Sequence, residues 1–235
     1  MIQPDEKTQN GKLYYGWVIT VTLAVTETIS WGIIYYAFSV FITPMEAEMG
    51  WSRGQLTGAF SLMLLVTAAL AFPVGAWIDK HGARGLMTVG SVLASLLVVA
   101  WSQVSDLTSL YLIWFGLGVC AATVLYEPAF TVIAAWFIWR RGTALAIITF
   151  AAGLASTIFV PLSDALLNAV GWRDAVLLLG VFLAVTTIPL HLLILRRRPD
   201  DLGVLPDGGV KADAKQVQQY NATLREALQI GRAHV

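Results

Sequence analysis

Gly75-Ala76-Trp77-Ile78-Asp79-Lys80-His81-Gly82-Ala83-Arg84 packs an acid, two bases and two glycines into ten residues, with long apolar runs on either side. As bare chemistry it is a polar hairpin between two membrane helices. The glycines allow a tight turn, and Lys80 with Arg84 marks the face expected to be cytoplasmic. Composition agrees. Of 235 residues, 57% are hydrophobic and 13% charged, against roughly 45–50% and about 25% in soluble domains. A water-soluble core is therefore the wrong class. Zero net charge gives no hint of nucleic acid, and the single Cys120 allows neither a disulfide nor a cysteine-metal site. The polar start, residues 1–12, runs into an apolar stretch too long for a signal-peptide core and lacking a cleavage site.

Six apolar segments are long enough to span a bilayer, which takes roughly 20 residues each. They are expected at Tyr14 to Ile42, Gly54 to Ile78, Gly85 to Trp101, Leu107 to Phe137, Gly142 to Ala169 and Ala175 to Leu195. Continuous rather than alternating apolarity makes them helices and not barrel strands. With the N-terminus inside, one face collects Lys7, Lys12, Lys80, Arg84, Arg140, Arg141, Arg196, Arg197 and Arg198, and the other only Arg53 and Arg173. The expectation is a multi-pass protein of a plasma or bacterial inner membrane, with both ends of the chain cytoplasmic. Trp17, Trp51, Trp77, Trp101, Trp136, Trp139 and Trp172 fall near span ends, where an amphipathic ring prefers the membrane interface.

A weak internal repeat runs through the spans. Trp51 and Trp139, Arg53 and Arg141, and Pro73 and Pro161 share an offset of 88, and Gly82-Ala83-Arg84 with Gly171-Trp172-Arg173 follows one residue out of step. Three spans per copy is an odd number, so the copies cross the membrane in opposite senses, a construction found in transporters. The fold class is then all-α: six transmembrane helices as a 3+3 inverted repeat.

After Arg198 the composition changes. Residues 1–198 read as a six-helix transmembrane domain, and residues 199–229 as a cytoplasmic loop, flexible to about Gln219, ending in the start of a helix. There Thr223 and Glu226 have capping-box spacing. Residues 230–235 resemble a translated library adapter and are expected to lie outside the fold. The chain then reads as a fragment cut before a seventh span.

Three acids fall within spans: Glu27 midway along the first, Glu127 in the fourth and Asp164 near the outer end of the fifth. An ionised acid at the bilayer centre costs about 2.5–3.5 kcal/mol even on lenient scales. Glu27 and Glu127 must face a polar cavity, find a partner or carry a proton. Function would be proton coupling or recognition of a cationic group; the structural alternative is an interhelical hydrogen bond. Trp31 and Tyr35 follow Glu27 on one helix face, Tyr126 adjoins Glu127, and Pro128 frees a backbone carbonyl one turn earlier. Such a tyrosine-lined cavity suits a small polar or carboxylated solute. Gly116 with Gly118, and Thr149 with Gly153, have the spacing of close helix contacts. His191 reads as a tolerated interfacial residue. No metal-ligand spacing, cofactor motif or nucleophile motif is present, and the serines and His191 form no recognisable pair, so an intramembrane enzyme is not expected.

Gly75-x-x-x-Asp79-Lys80-x-Gly82-x-Arg84 resembles the loop signature of the major facilitator superfamily. Tyr15-Gly16-Trp17, Gly50-Trp51-Ser52-Arg53, Trp136-Phe137 with Arg140-Arg141-Gly142, and Gly171-Trp172-Arg173 resemble its monocarboxylate and oxalate/formate branch, and Thr223 to Leu228 the lead-in to that family's seventh helix. The resemblance implies half of a twelve-helix carrier that works by alternating access, with the first and fourth spans lining the cavity. Glu27, Trp31, Tyr35, Tyr126 and Glu127 would serve substrate or proton, and Gly75, Asp79, Lys80, Gly82 and Arg84 a cytoplasmic gate against an absent C-terminal six-helix half. Gly85 stands where a second base often follows, Leu112 in place of the arginine of proton-coupled carriers, and about Tyr36 in place of the monocarboxylate lysine. The expected function is secondary transport of a small organic solute, a carboxylate, by proton symport or exchange for a counter-anion. The other reading is a non-transporting six-span receptor or scaffold.

Overall fold

The computed structural model describes residues 13–208, and all regular structure among them is helical. The first span comprises α1 (Tyr15–Ser30), a π-helical segment (Trp31–Tyr36) and α2 (Ala37–Met49); the second is α3 (Arg53–His81) and the third α4 (Ala83–Ser102). The fourth joins α5 (Leu107–Val124) to α6 (Tyr126–Trp136), the fifth α7 (Arg141–Gly153) to α8 (Ala155–Val170), and the sixth is α9 (Trp172–Leu193). Among the described residues, six continuous stretches are long and apolar enough to cross a membrane.

The inverted repeat is visible in how helices start, stop and pair. The second and fifth spans begin at Arg53 and Arg141, and their last turns are broken by Gly82 (φ +83°, ψ 161°) and Gly171 (φ +82°, ψ 165°). Only glycine takes that conformation without steric cost. The third and sixth spans pack on each other, the second packs on the fourth, and the fifth packs on the first. Exchanging the two halves of the chain maps this set of pairs onto itself. Arginines repeat the symmetry: Arg84, at the start of α4, donates to the Leu192 carbonyl at the end of α9 (2.9 Å). Arg173, at the start of α9, donates to the Ser102 carbonyl at the end of α4 (2.8 Å). Each base sits where the partner helix leaves carbonyls unpaired and its dipole negative.

The crossings are made by glycine. A methyl on Gly118 of α5 would lie 2.7 Å from the Met63 carbonyl oxygen of α3, and one on Gly32 would meet the Phe159 ring of α8. Gly153 has nothing within 4 Å and Thr149 is exposed, so the second small-residue pair closes no contact among the described residues.

Several sequence expectations change. The first span does not stop at Ile42: α2 runs through Pro44 to Met49 because Met45 is fully buried and Gly50 (φ +68°) supplies the stop. Its polar tail is not solvent-facing waste, since Glu46 pairs with Arg53 at 2.9 Å and Glu48 accepts from Trp172 Nε1 and from Arg173 Nε, the latter at 2.9 Å. The Gly75–Arg84 hairpin is mostly helix. Gly75 lies inside α3 facing open space, and the turn is made at Gly82 alone. Trp77 and Trp139 are exposed near span ends, but Trp101, Trp136 and Trp172 are buried. Trp101 stands among Phe38, Phe41 and Trp114, so for these rings packing outweighs the membrane interface.

Asp106 caps α5. It accepts from the Ser109 amide (2.9 Å) and hydroxyl (2.6 Å), which hold its carboxyl below the usual range. A depressed folded value stabilises above the unfolded value near ~3.9 and is lost as pH falls through the folded one. Asp106→Asn retains an acceptor oxygen, so thermal melting of the variant is expected to lose part of its acid sensitivity between about pH 5 and about pH 3. An unchanged pH profile sinks this assignment.

Residues 199–208 also depart from the flexible reading. Pro199–Leu202 forms a 3-10 turn with Pro199 buried, Gly203 (φ +66°) reverses the chain, and Val204 packs on the core at this end. The remainder of the cytoplasmic-loop expectation, including the Thr223 cap and the 230–235 tail, lies outside the described residues.

Candidate functional site

Glu27 is fully buried on α1. Its Oε2 accepts from Trp31 Nε1 at 3.1 Å, while Oε1 has no partner among the described residues. One turn farther on the backbone passes into the π-helical segment, where Gly32 lets the Phe159 ring press against the chain. Extra residues of this kind inside α-helices are frequent at functional sites.

The fourth span is interrupted at the same place. Leu125 is extended (φ −88°, ψ −156°), and α6 starts at Tyr126 with Pro128 as its third residue. Pro128 has no N–H to return to the preceding turn, as the sequence reading expected, and beyond that the helix is fully interrupted at Leu125. It brings Tyr126 onto Trp31, with ring centroids 5.0 Å apart. Trp31 also meets Tyr35 at 5.2 Å, Tyr35 meets Phe60 at 5.0 Å, and Tyr126 stacks on Phe130 at 5.0 Å.

Of the five residues assigned to substrate or proton, Glu27, Trp31, Tyr35 and Tyr126 thus form one connected cluster between the first and fourth spans. Glu127 adjoins it only through its neighbour Tyr126: its own side chain is exposed. Asp164 is exposed and accepts from Asn168 within its own helix, apart from this cluster. Between Arg53 and Lys80, Arg84 and Arg140, and Arg141 and Arg173 the spans hold no lysine or arginine. The cluster is acidic and aromatic.

The five loop residues divide by role. Asp79 and Lys80 are exposed, and the Lys80 carbonyl accepts from Arg197. Gly82 makes the turn, Gly75 touches nothing, and Arg84 is engaged with α9 of this same chain.

Sequence reasoning missed three polar contacts. His191 is not interfacial: it is buried between α9 and α4, its Nδ1 2.8 Å from Ser91 Oγ. A serine–histidine pair therefore exists after all. Both residues are sealed in packing, and His191 Nε2 has no partner among the described residues, so the pair has no route to a substrate. The second is Glu48 on Trp172 and Arg173. The third is Asp207, whose carboxylate accepts from three consecutive amides, Ile138 (2.7 Å), Trp139 (2.8 Å) and Arg140 (3.2 Å). Pro206-Asp207-Gly208 was a legible turn signal, but nothing local announced its partner. Among the described residues no three His, Cys, Asp or Glu side chains gather as a metal site would require.

Comparison with known proteins places these features. Residues 22–229 match the family model of the Major Facilitator Superfamily. The chain is 34% identical over 182 residues to Monocarboxylate transporter 11 of Homo sapiens, a match covering 76% of this chain and 36% of that protein. It is 28% identical to the Uncharacterized MFS-type transporter YcxA of Bacillus subtilis (strain 168), covering 69% and 40%, and 30% identical to Monocarboxylate transporter 6 of Mus musculus, covering 71% and 35%. Among solved structures it resembles a bacterial homolog of the human lysosomal transporter Spinster, with a TM-score of 0.76 at 17% identity over 95% of this chain and 50% of that one. At that identity the likeness speaks for the fold alone. The chain spans about two fifths or less of the curated relatives named here.

Proposed function

The chain belongs to the major facilitator superfamily, near its monocarboxylate branch, and from that premise we propose that it is the moving half of a secondary carrier. The carrier passes a small organic solute, a carboxylate, across the membrane by alternating access. The observation that carries the reading is Glu27: a fully buried carboxyl with one oxygen on Trp31 and the other unpartnered among the described residues.

An acid so placed must share its charge with a cation or carry a proton, and the described residues bond no cation to it. Carrying a proton, Glu27 can donate to a carboxylate solute; ionised, it repels one, and Glu127 adds to the repulsion. Proton and anion therefore enter together or not at all. This is symport. Exchange for a counter-anion is the same cycle with the proton retained and a second anion returning. Trp31, Tyr35 and Tyr126 supply flat walls and polar tips for a small solute. The broken fourth span and the π-helical first span are where the backbone can yield as access alternates.

In this reading the basic end is cytoplasmic, Asp79 and Lys80 face a second six-helix half, and residues 199–229 link the two. Arg84 contributes by holding α9. The test is uptake of a labelled short carboxylate by proteoliposomes containing the two-half carrier, with and without an inward proton gradient. Saturable uptake accelerated by the gradient, or by a counter-anion inside, is expected. The 235-residue chain alone should give none, having no opposing half to rock against. Uptake indifferent to both proton and counter-anion rejects the coupling, and absence of saturable uptake for every carboxylate tried rejects the substrate class.

A further inference from the structure

The turn between the fourth and fifth spans is the repeat-related counterpart of the turn between the first and second, yet of the two helices that follow only α3 has a side-chain cap. Ser52 caps α3 from within: it is extended (φ −75°, ψ 153°), its hydroxyl accepts from the Gln55 amide, and the Gln55 side chain accepts from the Ser52 amide. Arg140 holds the equivalent place before α7. It lacks an acceptor, and its backbone (φ −95°, ψ 12°) is not the extended form from which a residue caps its own helix. The amides of Ile138, Trp139 and Arg140 all point one way into a single concavity, and successive N–H groups so arranged bind an anion.

The anion is Asp207, 67 residues beyond Arg140. Its Oδ2 accepts from Ile138 and Trp139, and its Oδ1 from Arg140. Asp207 itself is left-handed (φ +55°, ψ 15°), a conformation that aspartate tolerates better than most residues. The hook carrying it is anchored. Pro199 is buried and Val204 returns its amide to the Pro199 carbonyl at 3.2 Å. Trp136 Nε1 donates to the Arg196 carbonyl (3.3 Å) and the Tyr15 hydroxyl to the Ile194 carbonyl (2.7 Å).

We propose that Asp207 is the borrowed cap of the turn that leads into the fifth span: a positioning residue, supplied from the segment after the sixth span, that fixes the basic ends of the fourth, fifth and sixth spans to one another. The turn that lacks a cap of its own is thereby held by the strand of chain that leaves the bundle. Under the transport reading, on which this last consequence rests, the six helices move as one body because this carboxylate closes a basic-end turn that has no side-chain cap of its own.

Amide hydrogen exchange on the purified detergent-solubilised chain tests the cap without reference to transport. In Asp207→Ala, exchange at residues 138–140 should accelerate by about tenfold or more, as expected for lost hydrogen bonds to a charged acceptor, with residues 50–55 unchanged. Trypsin should then cut more readily after Arg140 or Arg141. Asp207→Asn, which keeps one acceptor oxygen, should restore protection at Ile138 and Trp139 but not at Arg140. Unchanged exchange at 138–140 in folded Asp207→Ala overturns the proposal. So does a uniform rise across all spans, or failure of Asp207→Asn to differ from Asp207→Ala. If Asp207→Ala does not fold, the Asp207→Asn pattern decides alone. For the consequence, the uptake rate of the two-half carrier should fall in Asp207→Asn while its proton dependence stays. An unchanged rate beside altered exchange leaves the cap and removes the one-body role, and a wild-type carrier without uptake removes the transport reading only.

Discussion

Glu27→Gln is expected to abolish solute accumulation driven by a proton gradient while leaving the carrier folded. Glutamine matches glutamic acid in shape and can still accept from Trp31 Nε1, so the 3.1 Å contact and the Trp31–Tyr126 packing it orients should persist. What is removed is the exchangeable proton. For a one-proton symporter, a gradient of about one pH unit sustains about tenfold accumulation, since each 1.4 kcal/mol is a factor of ten. In the variant the ratio should collapse to about one. Downhill entry or exchange continues only by the uncoupled route, which exposes the loss as one of coupling and not of folding. A variant that still accumulates solute about tenfold under the same gradient removes Glu27 from the proton path. Equal loss of accumulation and of exchange would instead mark Glu27 as part of the binding surface.

The second large effect is on stability. Gly118→Ala is expected to cost about 1–3 kcal/mol, the usual range for forcing a methyl into a packed interior. The new carbon would lie 2.7 Å from the Met63 carbonyl oxygen and 2.8 Å from Val66 Cβ. The first of these is backbone, which cannot turn aside as a side chain can. The carbonyls at this crossing are already in use: Thr67 Oγ1 donates to Met63 at 2.8 Å and to Gly118 at 3.1 Å, so separating α3 from α5 also breaks the second bond. Thermal unfolding in detergent should shift downward. Gly153→Ala is the control, since nothing lies within 4 Å of that position, and its melting should be unchanged or slightly raised, alanine being the better helix former. Equal stability for the two variants rejects the close-packing role of Gly118.

The two glycines had looked alike in the sequence, and their difference shows where local reading stops. Spacing says that a helix has a small-residue face. It does not say which helix will lie across it. The same limit applies to His191, which a terminal position in the sixth span made interfacial and which Ser91, 100 residues earlier, makes internal. Of the tryptophans near span ends, Trp101 and Trp136 turn inward because aromatic neighbours from other spans enclose them.

The candidate site was more legible. A carboxyl in the middle of an apolar run costs so much that its identity alone singles out Glu27, and Trp31 at i+4 was the residue able to reach it. Pro128 likewise announced a freed carbonyl in the fourth span. The π-helical segment and the extended Leu125 were not legible, because each depends on a neighbouring span: Phe159 presses on Gly32, and Trp31 packs on Tyr126. Glu127 met the same burial argument as Glu27 in one dimension and is exposed in three.

By itself the sequence determined the six spans, the helix starts at Arg53 and Arg141, the glycine turns at Gly82 and Gly171, and the offset that relates the two halves. These follow from burial of long apolar runs in a solvent that cannot satisfy backbone polar groups, and from backbone conformations that only glycine adopts. Tertiary structure alone decided which faces meet, that Arg84 and Arg173 each cap the helix that carries the other, and that Asp207 closes a turn far from it in the chain. Those contacts join residues 67 to 108 positions apart, and no local preference encodes them. They form because unpaired carbonyls and amides at helix ends accept whichever charge the packed bundle brings within reach.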